Sequence, residues 1–233
     1  MRKLTVIFLI LALCLGLASA SADQTVVVTG TGETLVTADT AVVSLGVSVR
    51  NRDALKAQSE ANGIIAAIRA ALTGAGFHEE DISTGYINLY AVYDYSRETE
   101  QIAAYNASSN LAVKVTDMAR AGEVIDLAFG AGANTLDGVS FSVSDDTGAR
   151  AESLKAAVAD AQAKAAVLAE AAGLGELKIE QIQEGTVYSF DSGVNNFSRK
   201  AAGAEEAATD AATIIRAAKI CISATVTVTF SVK

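Results

Sequence analysis

The sequence lacks, or nearly lacks, several residue types on which enzyme chemistry commonly depends. It has no tryptophan, one histidine (His78) and two cysteines, Cys14 and Cys221. A nucleophilic site needs a base beside the nucleophile, so it would have to be built on His78, which lies in a polar stretch between a predicted helix and a predicted strand. One imidazole with neighbouring carboxylates does not have the spacing of a metal site. We therefore expect no catalytic residues, no metal and no cofactor, and predict that the protein is not an enzyme.

Proline is absent from all 233 residues. At an ordinary usage near 5%, about 12 prolines would be expected in a chain of this length. Two explanations stay open, removal of proline by design and an unusual natural bias. In either case the unfolded chain has more conformational freedom than usual, at a cost of about 0.4–1 kcal/mol for each compatible site.

The N-terminus has the pattern of a secretory signal peptide. Arg2 and Lys3 precede an apolar run, residues 4–17, and Ala18 and Ala20 are the small residues that signal peptidase reads. The run is about 14 residues long, whereas a membrane-spanning helix needs about 20. The sequence predicts cleavage after Ala20 and a mature periplasmic or secreted chain of residues 21–233. A retained membrane anchor is the alternative.

The charge balance bears on the partners. The chain has a net charge of −9, and loss of the leader with Arg2 and Lys3 makes it −11. Such a chain repels nucleic acid and anionic lipid, so neither is an expected partner. No later apolar run approaches the length of a membrane span, and we expect none in the mature chain. Cys221 is then the single remaining cysteine, and we interpret it as a small buried apolar residue.

Hydrophobic periodicity predicts more strands than helices. Several neighbouring strands are joined by short connections and can pair as antiparallel hairpins. The predicted fold is α+β, one domain over residues 21–233, with helices packed on one face of a mostly antiparallel sheet. Residues 189–210, rich in serine, asparagine, alanine and charge, are predicted to form a flexible excursion. Predicted strands cover residues 25–30, 40–50, 82–95, 104–116, 136–144, 177–186 and 220–232, and predicted helices cover residues 54–73, 118–130 and 147–172.

Three motifs have plain structural interpretations. Gly30 and Gly32 lack the third glycine and the helix of a dinucleotide-binding loop, so we predict a turn or bulge there. Asp145 and Asp146 precede the longest helix, where carboxylates favour the positive N-terminal end. The stripe of that helix, which includes Leu154 and Leu168, fits an alanine-rich face packed on a sheet better than a short coiled-coil seam.

Tyrosines are concentrated in one predicted hairpin. Tyr90, Tyr93 and Tyr95 lie in the strand of residues 82–95, where Tyr93 and Tyr95 share one face and Tyr90 takes the other with Tyr86. Tyr105 lies across the turn. Two interpretations stay open, ordinary cross-strand packing and a protein–protein contact. The candidate interface residues are Tyr90, Tyr93 and Tyr95 of the hairpin and Phe197 of the excursion.

Many short stretches, in order over nearly the whole mature chain, carry a resemblance to a known family. They are residues 26–33, 38–41, 44–47, 81–84, 89–95, 105, 111–115, 132–133, 137–141, 164–165 and 224–230. These stretches resemble the SIMPL family, which includes periplasmic immunogenic proteins of Gram-negative bacteria. The family usually has a proline before the position of Asp39 and often one near Ala91 and near Ala217, and all three are missing here.

The resemblance implies an extracytoplasmic α+β protein, in some relatives a ring- or tube-like homo-oligomer of the envelope, with links to stress tolerance and host recognition. It supplies no catalytic residue. The leading hypothesis is a non-enzymatic envelope or secreted protein that acts through self-assembly or through binding an envelope protein. The alternative is an enzyme or small-ligand-binding protein with a pocket between helices and sheet.

Overall fold

The computed structural model describes residues 24–94, 101–191 and 213–233. The predicted leader with its cleavage site at Ala20, Tyr95, Phe197 and residues 192–210 of the predicted excursion lie outside the described residues. The start of that excursion is wrong, because residues 189–191 continue a strand.

The described residues form seven strands and three α-helices, and the α+β prediction is confirmed. Most element bounds agree with the prediction to within a few residues, whereas the first and sixth strands are longer than predicted. In chain order the elements are β1 (Thr25–Thr37), β2 (Thr40–Asn51), α1 (Ala54–Gly74), β3 (Ile82–Asp94), β4 (Gln101–Val115), α2 (Ala121–Gly130), β5 (Thr135–Ser142), α3 (Thr147–Ala172), β6 (Leu177–Asp191) and β7 (Lys219–Val232).

The strands form two sheets. One has the order β3-β4-β2-β5 and is antiparallel throughout. The other has the order β1-β7-β6. Its strands also run antiparallel, because Gln24 before β1 accepts a backbone hydrogen bond from Val232 at the end of β7, and Glu176 before β6 accepts one from Lys233.

Contacts divide the described residues into two compact units. One comprises residues 33–152 with the described part of 187–223, and the other comprises residues 24–32, 153–186 and 224–233. The prediction of a single domain over residues 21–233 stays a prediction.

The first unit has a core of large aliphatic side chains. Alternate residues of β2, Val43 and Leu45, are fully buried, as the period of two predicts, and they pack with Ile68 and Leu72 of α1. Each such side chain contributes about 1.5–3 kcal/mol through burial. Leu55 in the first turn of α1 is 79% exposed, and α1 buries Ala57 there instead.

The second unit has a helix–sheet interface of very small residues. Along α3 every fourth residue is buried, from Ser153 through Ala157, Ala161 and Ala165 to Ala169. The predicted packing of this helix on a sheet is confirmed. The predicted stripe is wrong in detail, because the buried residues are spaced by four throughout.

The glycines of β1 explain how close α3 comes. A Cβ at Gly30 would lie 2.0 Å from the carbonyl oxygen of Ala157, and one at Gly32 would lie 2.1 Å from that of Ser153. Both glycines lie inside a strand, so the predicted turn is wrong, and the alternative of a bulge stays a prediction. They are required because the helix backbone approaches the strand backbone with no room for a side chain between them.

Candidate protein-contact surface

The predicted tyrosine hairpin is formed by β3 and β4, which pair from Ile82↔Val113 to Asp94↔Gln101. We call these two strands the tyrosine hairpin. Tyr90 lies opposite Asn106, and Tyr93 lies opposite Ile102 just beyond a register shift. Directly opposite residues share a face of the sheet, so Tyr90 lies on the face of Asn106. The predicted opposite faces of Tyr90 and Tyr93 stay a prediction, because a register shift separates the two residues.

One face of the hairpin is turned towards α1. Ala107 of β4 is buried against Ala57 and Ala61 of that helix, and Leu89 lies opposite Ala107 on the same face. Because β3 is the outermost strand, its side chains extend beyond the cover of the helix. Ile87 is 62% exposed and Leu89 is 39% exposed.

Among the described residues the other face carries no helix, and it is polar around Tyr90. The hydroxyl of Tyr90 accepts a hydrogen bond from Asn106 Nδ2 at 3.0 Å. Asn106 also donates to Ser108 Oγ at 3.1 Å and accepts from Ser48 Oγ at 3.1 Å. The hydroxyl of Tyr90 is thus held over the sheet, while half of the residue remains exposed.

A bulge in β3 lies between Thr84 and Ile87, just before its exposed apolar side chains. Gly85 and Tyr86 together lie opposite Asn110, whose Oδ1 accepts a 2.8 Å hydrogen bond from the backbone N–H of Tyr86. Asn110 also donates to Asp137 Oδ2 at 2.8 Å. A Cβ at Gly85 would lie 2.3 Å from Asn110 Oδ1, and one at Gly46 would lie 2.8 Å from its Cβ. The two glycines therefore make room for a buried asparagine that links three strands.

Tyr86 is anchored by the same network. Burial of its phenol, together with the nearby Asp137 carboxylate that accepts its hydrogen bond, raises the pKa of Tyr86 above the ordinary value. The sequence analysis did not identify Asn110 or Asp137 as part of this surface. Gly46 and Gly85 inside strands were the available signal, since an interior glycine often marks a bulge or a close approach.

The tyrosines divide between the two interpretations. Tyr105 packs against the buried cluster that contains Val47 and Ala57, which fits the interpretation of ordinary cross-strand packing. Tyr86, Tyr90 and Tyr93 are 44%, 50% and 42% exposed. The other two candidate residues, Tyr95 and Phe197, lie outside the described residues.

The residues considered for chemistry serve local structure. Asp145 accepts a 3.0 Å hydrogen bond from the N–H of Thr147, the first residue of α3, and Asp146 pairs with Arg150 at 2.7 Å. These hydrogen bonds lower the pKa of both carboxyls.

Cys221 is buried, and burial together with the Glu33 carboxylate raises the pKa of its thiol. An elevated pKa disfavours the reactive thiolate.

His78 is exposed and precedes the short 3₁₀ turn Glu79–Asp81. Within residues 24–94, 101–191 and 213–233, no three histidine, cysteine or acidic side chains converge as metal ligands would. The helices of the same residues include none that is long and apolar enough to cross a membrane.

An open cleft of about 730 Å³ lies beside α2. Its two carboxylates are already engaged. Asp126 accepts hydrogen bonds from the N–H and hydroxyl of Thr213 at 3.1 and 2.6 Å, and Glu123 pairs with Arg120 at 2.8 Å. These bonds lower the pKa of both acids. The cleft is lined by Ala71, Ala119, Glu123, Asp126, Leu127, Gly130, Ala131 and Thr213.

The fold and the site together define an α+β protein whose helices cover one face of antiparallel sheets and whose outer hairpin exposes three tyrosine side chains. The model of the SIMPL family, described as a protein of unknown function (DUF541), matches residues 26–230. The chain belongs to the SIMPL family.

Two curated relatives support this membership. The chain is 30% identical over 164 residues to the 26 kDa periplasmic immunogenic protein of Brucella melitensis biotype 1. It is 29% identical over 164 residues to the protein of the same name from Brucella abortus strain S19. Each alignment covers 68% of this chain and 66% of the relative's length.

Proposed function

We propose that the protein is exported and works outside the cytoplasm as a non-catalytic envelope or secreted protein that binds other protein molecules, above all copies of itself. The observation that carries the proposal is the exposure of large apolar side chains on both faces of the tyrosine hairpin. Tyrosine is favoured at protein interfaces because its ring buries a large area while its hydroxyl keeps a hydrogen-bond partner.

The geometry of Tyr86 and Tyr90 supports a binding role. Hydrogen bonds to Asp137 and from Asn106 hold their hydroxyls, so the rings lose little rotamer freedom when a partner covers them. The rival function, a small-ligand site, has less support. In the described cleft both carboxylates have protein partners, which leaves mainly alanine and leucine to face a ligand.

Export rests on the N-terminal sequence and on the family. Two relatives carry the word periplasmic in their names. We propose that residues 1–20 are removed, so the intact mass of the exported chain should correspond to a start at Ser21. A mass that retains Met1–Ala20 would contradict this.

The proposed link to stress tolerance rests on the family resemblance. A deletion strain should survive envelope stress less well than its parent.

The binding role is tested by light scattering coupled to size exclusion on the exported chain. We expect an assembly larger than a monomer, and we expect Tyr90→Ala combined with Tyr93→Ala to raise its dissociation constant at least about tenfold, the loss typical of two interface tyrosines. Tyr188→Ala is the matched control, since Tyr188 is 49% exposed on β6. A monomer at every concentration, or an equal effect of the control, would contradict the proposal.

A further inference from the structure

The outer edge of β3 is a long strand edge with few of the features that usually prevent edge-to-edge pairing. β3 is the terminal strand of its sheet and has 13 residues. Across residues 24–94, 101–191 and 213–233, no strand pairs with its outer side. A strand edge presents unpaired N–H and C=O groups, and another strand can satisfy them.

β3 differs in charge from β6, an outer strand of the other sheet. Residues 82–93 contain no charged side chain, so β3 is uncharged until Asp94 at its end. β6, of similar length, carries Lys178, Glu180 and Glu184 within it. Charged side chains on an edge strand are a common protection against pairing with another chain, and β3 lacks them.

The stretch available for pairing has defined limits. Register shifts separate Thr84 from Ile87 and Val92 from Tyr93, and residues 87–92 pair regularly with β4. In this stretch Ile87 and Leu89 share the α1 face, while Tyr90 lies on the helix-free face with Tyr86 of the preceding bulge. Each face thus offers two large apolar side chains, placed about Asn88.

We propose that β3 pairs antiparallel with β3 of a second copy of this chain, around a two-fold axis at Asn88, so that two four-stranded sheets become one sheet of eight. This register places Ile87 opposite the second copy's Leu89 on one face and Tyr86 opposite its Tyr90 on the other. A register centred on Leu89 would oppose Ile87 to Ala91 and Tyr90 to Asn88, which buries less apolar surface. The inference rests on the proposed self-assembly and specifies its contact.

The exposed area is sufficient for such a contact. An aromatic residue offers about 150–250 Å², so Tyr86, Tyr90 and Tyr93 at their exposed fractions contribute roughly 250–300 Å². Ile87, Leu89 and Ile102, 62%, 39% and 49% exposed, bring the apolar total to roughly 500 Å². A standard interface buries about 800 Å² per partner, of which about 57–65% is apolar.

The net charge of the chain also favours pairing at an uncharged edge. With a net charge of −9, two copies of the chain repel one another at most approaches. The uncharged stretch of β3 is a place where two copies can meet without opposing like charges. Backbone hydrogen bonds then provide affinity, and the paired side chains on the two faces set the register.

The register is tested with two complementary variants of the exported chain, Ile87→Lys and Leu89→Glu. In a homodimer of either variant, the new charge lies opposite an apolar side chain with no charge to compensate it. We expect the dissociation constant of that homodimer to be at least about 100-fold higher than that of the parent chain. Mixed in equal amounts, the lysine of one copy lies opposite the glutamate of the other, and the heterodimer should recover affinity to within about tenfold of the original. Ile182→Lys on β6, where Ile182 is 49% exposed, is the control and should assemble normally.

The outcomes separate this inference from the function on which it rests. A monomeric parent chain at all concentrations overturns both. An assembling parent whose Ile87→Lys and Leu89→Glu variants assemble equally well overturns the edge pairing and leaves self-assembly standing. Variants that dissociate without recovery in the mixture overturn the register.

Hydrogen exchange on the unmodified chain gives an independent test that does not depend on the variants folding. We expect the amides of β3 that point away from β4, within residues 86–90, to become protected as protein concentration rises, while exposed amides of β6 do not change. Exchange in residues 86–90 that is independent of concentration in an assembled sample overturns the inference.

Discussion

The two helix–sheet interfaces of the molecule bury their residues in contrasting ways. In the unit formed by β2, β4 and their helices, branched side chains such as Leu45, Ile68 and Leu111 fill the space between helix and sheet. In the other unit, α3 places Ala157 and Ala161 directly against the backbone at Gly30 and Gly32 of β1. One interface is filled by side chains, and the other is formed largely by the approach of two backbones.

The difference determines which substitutions each interface tolerates. A core of large side chains loses stability when atoms are removed, because a cavity remains. An interface of glycine and alanine has little to lose by truncation, but it has no space for an added atom. A given substitution, such as glycine to alanine, should therefore change the free energy of unfolding differently in different parts of the chain. The following experiments test this.

The largest effect is expected from Gly30→Ala. The added Cβ would lie 2.0 Å from the Ala157 carbonyl oxygen, a separation that forces β1 and α3 apart. We expect a loss of more than about 4 kcal/mol in the free energy of unfolding, measured by urea denaturation, or failure to fold. A loss below about 1 kcal/mol would show that the helix does not approach the strand as described.

Leu111→Ala should have the next largest effect. Leu111 is fully buried in the aliphatic core, and its truncation leaves a cavity there. We expect a loss of about 2–5 kcal/mol in the free energy of unfolding by urea. The control is Leu168→Ala on α3, where the side chain is half exposed and the loss should stay below about 1 kcal/mol.

Gly63→Ala should stabilise the protein and so complete the comparison with Gly30. Gly63 lies in the interior of α1, and a Cβ there would meet nothing within 4 Å. Alanine in a helix interior is favoured over glycine by about 0.5–1 kcal/mol, and we expect a gain of that size in the free energy of unfolding. A loss of stability would contradict the exposure of this position.

The smallest effect concerns pH. Asp160 of α3 accepts hydrogen bonds from Lys164 at 2.6 Å and from the N–H of Thr31 at 2.8 Å, and these hold the pKa of its carboxyl below the ordinary value. A carboxyl whose pKa is lower in the folded state adds stability above its unfolded pKa, and this is lost as pH falls through the folded value. Asp160→Asn should therefore make urea stability less dependent on pH below about 4.

Asp39 provides the corresponding case in the other unit. Its carboxylate accepts hydrogen bonds from the N–H and hydroxyl of Ser144 at 2.8 and 2.6 Å, which lower its pKa. Asp39→Asn should flatten the acid dependence in the same direction as Asp160→Asn. Acid profiles of both variants that coincide with the parent profile would contradict these assignments.

Local patterns were sufficient to predict the strands and helices. The alternation of β2 and β7 and the length of α3 follow from residue periodicity, and these elements occur where they were predicted. The role of Gly30 and Gly32 did not follow, because their sequence neighbours give no sign of a helix that begins more than 110 residues further along the chain. A glycine needed for flexibility and one needed for close approach look alike in sequence.

The candidate surface could be predicted only in its composition. The concentration of tyrosines in residues 86–95 was visible in the sequence. The outermost position of β3 in its sheet was not, because strand order depends on pairings between distant residues. The anchoring of Tyr86 by Asn110 and Asp137 likewise depends on three strands being neighbours in space.

The spacing of small residues between β1 and α3 has a mechanical consequence. Two residues of a strand advance about 6.8 Å and four residues of a helix about 6.0 Å, so Gly30 and Gly32 fit successive turns of α3 at Ala157 and Ser153. The backbone of α3 therefore fits against β1 only at positions separated by one helical turn. Under a pulling force along the strand, α3 cannot slide gradually, because a shift of less than one turn brings the backbone atoms of the two elements into collision. The pair should therefore resist shear up to a threshold and then separate abruptly.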